Sequence, residues 1–292
     1  MQILENEYLK VTVNEQGAEL AGIWDKEKEV EYLWNADPAY WKRTAPVLFP
    51  IVGSLKNKQF LYEGKAYSMG QHGFARDMKF EFVGEDSDSS TLWYCLKSSE
   101  ETLEKYPFLF ELKVGYQLVE KKLQVMWQVT NTGDRTMYFS IGGHPAFMCP
   151  LNGKGKQTDY YIAFDTDKDL LYSKLSENGL VERENLVLST EGGMMPVREG
   201  MFDEDALIIE NHQAHRVSLC DSDKKPYLTV EFDAPLFGLW SPAGKSAPFI
   251  CIEPWYGRCD KESFSGTLKE REYGNVLAPG EIYNKSFSVF VY

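Results

Sequence analysis

Several things are scarce in this chain of 292 residues. No apolar stretch approaches the roughly 20 residues that span a bilayer, and the opening M-Q-I-L-E-N-E-Y-L-K has acids where a signal peptide would carry a basic region and an apolar core. The expected compartment is therefore the cytoplasm. Cations are in deficit: 31 Lys and Arg against 44 Asp and Glu give a net charge of −13, a field that repels nucleic acid and anionic membranes. The cysteines, Cys95, Cys149, Cys220, Cys251 and Cys259, are odd in number and scattered, and the absence of C-x-x-C argues against a zinc knot or redox pair. Buried free thiols in a reducing compartment are the expectation. Long amphipathic helices, internal repeats and low-complexity linkers are missing as well.

What is present is alternation. Leu112, Val114, Tyr116 and Leu118 recur with period two, as do Leu123, Val125, Trp127 and Val129, and then Leu228, Val230 and Phe232, so each run buries one face of a strand. Turn chemistry separates such runs, at 14 to 17 (N-E-Q-G), 84 to 90 (G-E-D-S-D-S-S), 131 to 134 (N-T-G-D) and 221 to 226 (D-S-D-K-K-P). The best helical candidate, around 98 to 106, spans barely two turns, with Ser98 or Ser99 as cap and Pro107 as its stop. Loops are expected at 151 to 157 and 191 to 196. Repeated strands without alternating helices predict an all-β fold, a large antiparallel sandwich or barrel, and residues 1–292 are read as a single domain.

Only four histidines are available for acid–base work: His72, His144, His212 and His215. His72 sits in M-G-Q-H-G-F-A-R, where glycines permit close ligand approach and Phe74 and Arg76 add an apolar face and a fixed cation. His144 sits in S-I-G-G-H-P-A-F beyond a strand expected at 136 to 141, where two glycines and a proline suit an irregular turn that presents the imidazole. Either ring can equally be a packing residue hydrogen-bonded to backbone. His212 and His215, in N-H-Q-A-H-R, read as a surface turn. Glu253 interrupts the apolar run F-I-C-I-E-P-W-Y-G, and a carboxylate there is expensive to desolvate unless it is used. Its proton affinity should rise, as suits a general base, with Pro254 ending the strand and Trp255 stacking on a ring; an ion-paired strand-end glutamate is the alternative. Arg43, in W-K-R-T-A-P-V-L-F-P, offers fixed donors for hydroxyls or phosphate, or an exposed salt bridge.

The ordered runs W-K-R-T-A-P-V-L-F-P, Q-H-G-F-A-R, G-G-H-P-A-F, D-A-L-I-I and I-E-P-W-Y-G resemble the aldose 1-epimerase (mutarotase) superfamily, nearest its LacX-like branch. The resemblance covers the chain from Arg43 to beyond Glu253. It implies a large antiparallel β-sandwich of the galactose mutarotase type and an isomerase that interconverts the α and β anomers of a hexose with neither metal nor organic cofactor. By matching motifs it makes His144 the general acid and Glu253 the general base, with His72, Arg43 and Arg76 positioning substrate. Asp205 is the match for an aspartate on a sugar hydroxyl, with Asp203 competing, and Phe74, Phe147 or Trp255 would wall the open chain. H-G-F-A-R also occurs in the hexose-6-phosphate 1-epimerase branch, so the partner is a hexose or a hexose phosphate. The resemblance leaves a homodimer open. A non-catalytic sugar-binding or regulatory protein is the competing reading, though binding alone needs no pair of proton handlers; a glycosidase would need two carboxylates across the bond.

Overall fold

A computed structural model describes residues 1–85 and 90–292. The fold is a large β-sandwich, and the strands of its sheets pair antiparallel throughout the described residues, with parallel contacts confined to isolated bridges such as Phe49 with Gly73. A nine-stranded sheet runs, in spatial order, through Met194–Pro196, Tyr161–Phe164, Arg216–Cys220, Pro226–Phe232, Ile282–Val291, Lys122–Asn131, Phe110–Val119, Thr91–Lys97 and Glu81–Glu85. An eight-stranded sheet contains Val181–Leu188, Leu170–Leu175, Leu207–Ile209, Leu236–Trp240, Phe249–Tyr256, Ile141–Gly143 and Val47–Leu48, with Ala146–Met148 pairing alongside Phe249–Tyr256. A four-stranded N-terminal sheet begins the chain.

Alternation sets the packing. In Lys122–Asn131 every second side chain is buried, so Leu123, Val125, Trp127 and Val129 face inward as their spacing predicts. Trp127 meets Tyr256 of the other sheet edge-on, ring centres 6.3 Å apart, which brings the inner faces into one core. The five cysteines are free and buried. The single α-helix among the described residues, Glu100–Lys105, is capped by Ser99 in a box with Thr102.

Three expectations change. The strand expected at 136 to 141 splits at Ser140: Met137–Phe139 pairs with Asn275–Leu277, while Ile141–Gly143 joins the eight-stranded sheet. The segment expected as a loop at 191 to 196 ends in an edge strand, Met194–Pro196. Pro254 does not end its strand, because Phe237 and Leu236 continue the register opposite Pro254 and Trp255. The turn expected at 84 to 90 crosses residues 86–89, outside the described residues.

Candidate active site

Strand Phe249–Tyr256 is buried at every position, and its period-two geometry divides it between two environments. Ile250, Ile252 and Tyr256 enter the main core, whereas Phe249 and Cys251 join Trp34 and Ala146 in a separate aromatic layer. Glu253 and Trp255 belong to that second face, and both line an open cleft of about 1060 Å³. Glu253 is thus a carboxylate carried on a central strand, 1% exposed.

His144 reaches the same cleft from the neighbouring segment. Its strand, Ile141–Gly143, pairs with Trp255 and Tyr256, and the two glycines serve packing: a Cβ on Gly142 would stand 2.7 Å from the Trp255 ring, and one on Gly143 3.0 Å from Phe287. The backbone N–H of His144 donates to Pro46. Its ring is held between aromatic partners: Trp41 stacks on it at 4.8 Å and 29°, and Trp240 meets it edge-on at 5.5 Å. Nε2 of His144 lies 3.3 Å from Oε2 of Glu253. Beyond that contact Oε2 has no hydrogen-bond partner, and neither do the buried His144 Nδ1 and Trp255 Nε1.

His72 stands edge-on to His144 at 5.5 Å. Its backbone is left-handed, φ 65°, and Gly73 follows because a Cβ there would meet the Phe49 carbonyl at 2.3 Å. The His72 backbone N–H donates to the Gly53 carbonyl, and Nδ1 accepts from the Gly53 N–H at 3.1 Å. A neutral ring accepting at Nδ1 carries its proton on Nε2.

Electrostatics favours neutral forms. Burial, then the cations Arg76 and Arg43, push His144 down to about 3, opposed by its own backbone carbonyl. Burial, then His144 and the two arginines, hold His72 well below the ordinary imidazole range. Burial and the nearby Asp205 raise Glu253 well above the usual carboxylate range, opposed by the Trp255 indole. Carboxylates do not keep His144 charged, contrary to what a general acid would suggest; burial and then the arginines set its state.

The structure sorts the remaining candidates. Arg76 and Asp205 line the cleft with His72, and so does Asp203. Asp205 is left-handed, φ 70°, accepts from the Ala206 N–H at 2.8 Å, and is the aspartate whose charge reaches Glu253; Asp203 is exposed and holds the Gly244 N–H. Arg43 is not at the cleft: its guanidinium pairs with Asp77 at 2.6 Å and donates to the Arg76 carbonyl, standing behind Arg76. Phe74 is not a wall either. It lies in the main core against Phe49 and Phe110, because the short 3-10 turn Ala75–Asp77 sends it inward while Arg76 turns outward. Phe147 is likewise a core residue. The aromatic walls are Tyr40, Trp41, Trp240 and Trp255. Trp41 was within reach of sequence reasoning, two residues before Arg43; Trp240 carries no local signal, since its position follows from pairing with Cys251 across strands.

Comparison with known proteins identifies the family and the fold. Residues 1–289 match the family model described as aldose 1-epimerase. The chromosomally encoded protein LacX of Lactococcus lactis subsp. lactis is 34% identical over 297 residues, covering 99% of this chain and 98% of the relative. A galactose mutarotase related enzyme from Lactobacillus acidophilus superposes with a TM-score of 0.92 at 34% identity, covering 100% of this chain and 97% of that one. A galactose mutarotase-like protein from Lactobacillus casei does so at 0.90 and 31% identity, with both chains fully covered. With its whole length matched and the His144–Glu253 pair set in the cleft of the shared sandwich, the chain belongs to the aldose 1-epimerase family.

Proposed function

We propose that the chain is an aldose 1-epimerase that interconverts the α and β anomers of a free hexose by opening and reclosing the ring, with His144 and Glu253 as its proton handlers. The observation that carries this reading is the buried contact of 3.3 Å between them, beside which the two oxygens of a hemiacetal, both bonded to one carbon, find a partner each.

Opening the ring removes a proton from O1 while the ring oxygen gains one. The pair holds one mobile proton between two groups that both favour neutrality. In the productive arrangement Glu253 is the carboxylate and His144 the imidazolium: Glu253 takes the O1 proton, and His144 gives its proton to the ring oxygen. The open-chain aldehyde then sits beside a neutral carboxylic acid and a neutral imidazole, the forms that burial favours. Rotation about the C1–C2 bond and closure with the transfers reversed give the other anomer. Each well-placed group contributes roughly 10² to 10⁴ in rate. Asp205, His72 Nε2–H and Arg76 are placed to hold hydroxyls, and the three tryptophans to cover the sugar's apolar faces.

A second reading, a hexose-6-phosphate 1-epimerase, is favoured by Arg76, which lines the cleft and whose buried Nε has no hydrogen-bond partner, with Asp77 at 3.9 Å. Exchange spectroscopy on α- and β-glucose, galactose and glucose-6-phosphate tests both. The first reading requires accelerated exchange of a free hexose. Acceleration confined to the phosphosugar, and lost in Arg76→Met, establishes the second; acceleration of none contradicts both and leaves a non-catalytic sugar-binding protein.

A further inference from the structure

We propose that His212, His215 and Asp233 form a surface site for a borderline first-row divalent cation such as Zn²⁺. None of the three lines the cleft, so the site is separate from the ring-opening chemistry and does not rest on that reading. Each offers one ligand atom, and these atoms lie within 4.8 Å of one another. Bonds of about 2.0–2.2 Å to nitrogen and oxygen ask the three to draw closer; His212 and Asp233 are exposed and His215 is half-buried.

The backbone holds the ligands in place. The His212 N–H donates to the Pro235 carbonyl at 3.0 Å, and the Phe232 N–H donates to the His215 carbonyl at 2.9 Å. These bonds staple the turn carrying both histidines to the segment carrying Asp233. Asn211 and His212 are both left-handed, φ 65° and 53°, which folds the turn back so that the rings lie 5.3 Å apart and 36° from parallel. Nδ1 of His215 lies 3.2 Å from the Phe232 carbonyl oxygen. As donor in that bond Nδ1 carries the ring proton and leaves Nε2 as a lone-pair ligand, its ring oriented by a backbone carbonyl as metal-binding histidines commonly are.

Two imidazoles and one carboxylate, with the remaining positions open to water, suit Zn²⁺, Ni²⁺ or Cu²⁺ rather than the all-oxygen preference of Mg²⁺ or Ca²⁺. One group competes: Lys285 Nζ lies 3.0 Å from Asp233 Oδ2. A second trio, His144, Cys251 and Glu253, meets the same spacing but is buried and contains the acid–base pair, so it is the rival location.

Calorimetric titration of the metal-free full-length chain with Zn²⁺ tests the proposal. The expected result is one site per chain, weakened by more than roughly 10-fold in His212→Ala and in His215→Ala, tightened in Lys285→Gln, and unchanged in Cys251→Ala. The unfolding midpoint of wild type should rise with added Zn²⁺, and that of His215→Ala should not; matching midpoints without metal separate lost ligation from lost folding. Absence of binding to wild type, binding indifferent to both histidine substitutions, or binding abolished by Cys251→Ala overturns the proposal.

Discussion

Nε2 of His144 and Oε2 of Glu253 stand 3.3 Å apart in surroundings that disfavour charge on either. Under the proposed mechanism, what they exchange with a sugar is one shared proton rather than two independent ones.

The first prediction concerns pH. The pair is competent while it holds one proton. It gains a second only when His144 is protonated beside a neutral carboxyl, and burial with the two arginines has pushed that event down to about 3. The kcat/KM of the free enzyme should stay level through the region near about 6.5 where an ordinary histidine titrates, and decline on the alkaline side as the shared proton is lost. A limb near 6.5 in the pH–rate profile would contradict this.

The arginines give a second test. Arg76 lowers His144 more than Arg43 does. Arg43→Met should move the acid limb upward while leaving the KM for sugar near wild type, since Arg43 faces Asp77. Arg76→Met should move it further and raise KM as well. An Arg43→Met enzyme with a large KM defect would place that side chain on the substrate after all.

Stability provides a third. The raised proton affinity of Glu253 means that the folded state binds more protons than the unfolded one between the ordinary carboxylate range and the raised native value, so stability falls as pH rises through that window. Glu253→Gln removes the titration. Its unfolding midpoint should exceed that of wild type at neutral and higher pH, and the gain should vanish below about pH 4, where both states of wild type are protonated. Thermal unfolding monitored by circular dichroism across pH 4 to 8 reads this; a midpoint lower than wild type at neutral pH would show that the carboxylate is a net stabiliser.

Phe74 supplies a fourth. As a core residue packed on Phe49 and Phe110, its truncation to alanine should destabilise the fold by about 3–5 kcal/mol. Below the unfolding transition, anomer exchange by the folded fraction should keep its KM. A KM defect without lost stability would return Phe74 to the cleft wall.

How far the sequence could be read follows from what each side chain depends on. Lys122–Asn131 was legible because one face is buried at every second residue. Glu253 stood out because an acid inside an apolar run has few inexpensive explanations, and its strand proved buried throughout. Phe74 misled because its sequence neighbours His72 and Arg76 do reach the cleft, while a tight turn sends the ring between them the other way. Trp240 was invisible because it meets His144 through strand pairing, which no local pattern encodes. The neutral state of His144 depends on burial and on two arginines distant in sequence, so its residue type could suggest a proton handler but not its charge.

Glu253 and His144 are proposed to move the proton between the two oxygens of the hemiacetal. Exchange spectroscopy of α- and β-glucose and galactose, at matched concentrations of wild type and Glu253→Gln, tests it most directly. Wild type should accelerate exchange of at least one hexose, and Glu253→Gln should lose roughly 10² to 10⁴ of that rate in a protein at least as stable as wild type at neutral pH. Equal exchange rates with the two proteins would contradict it.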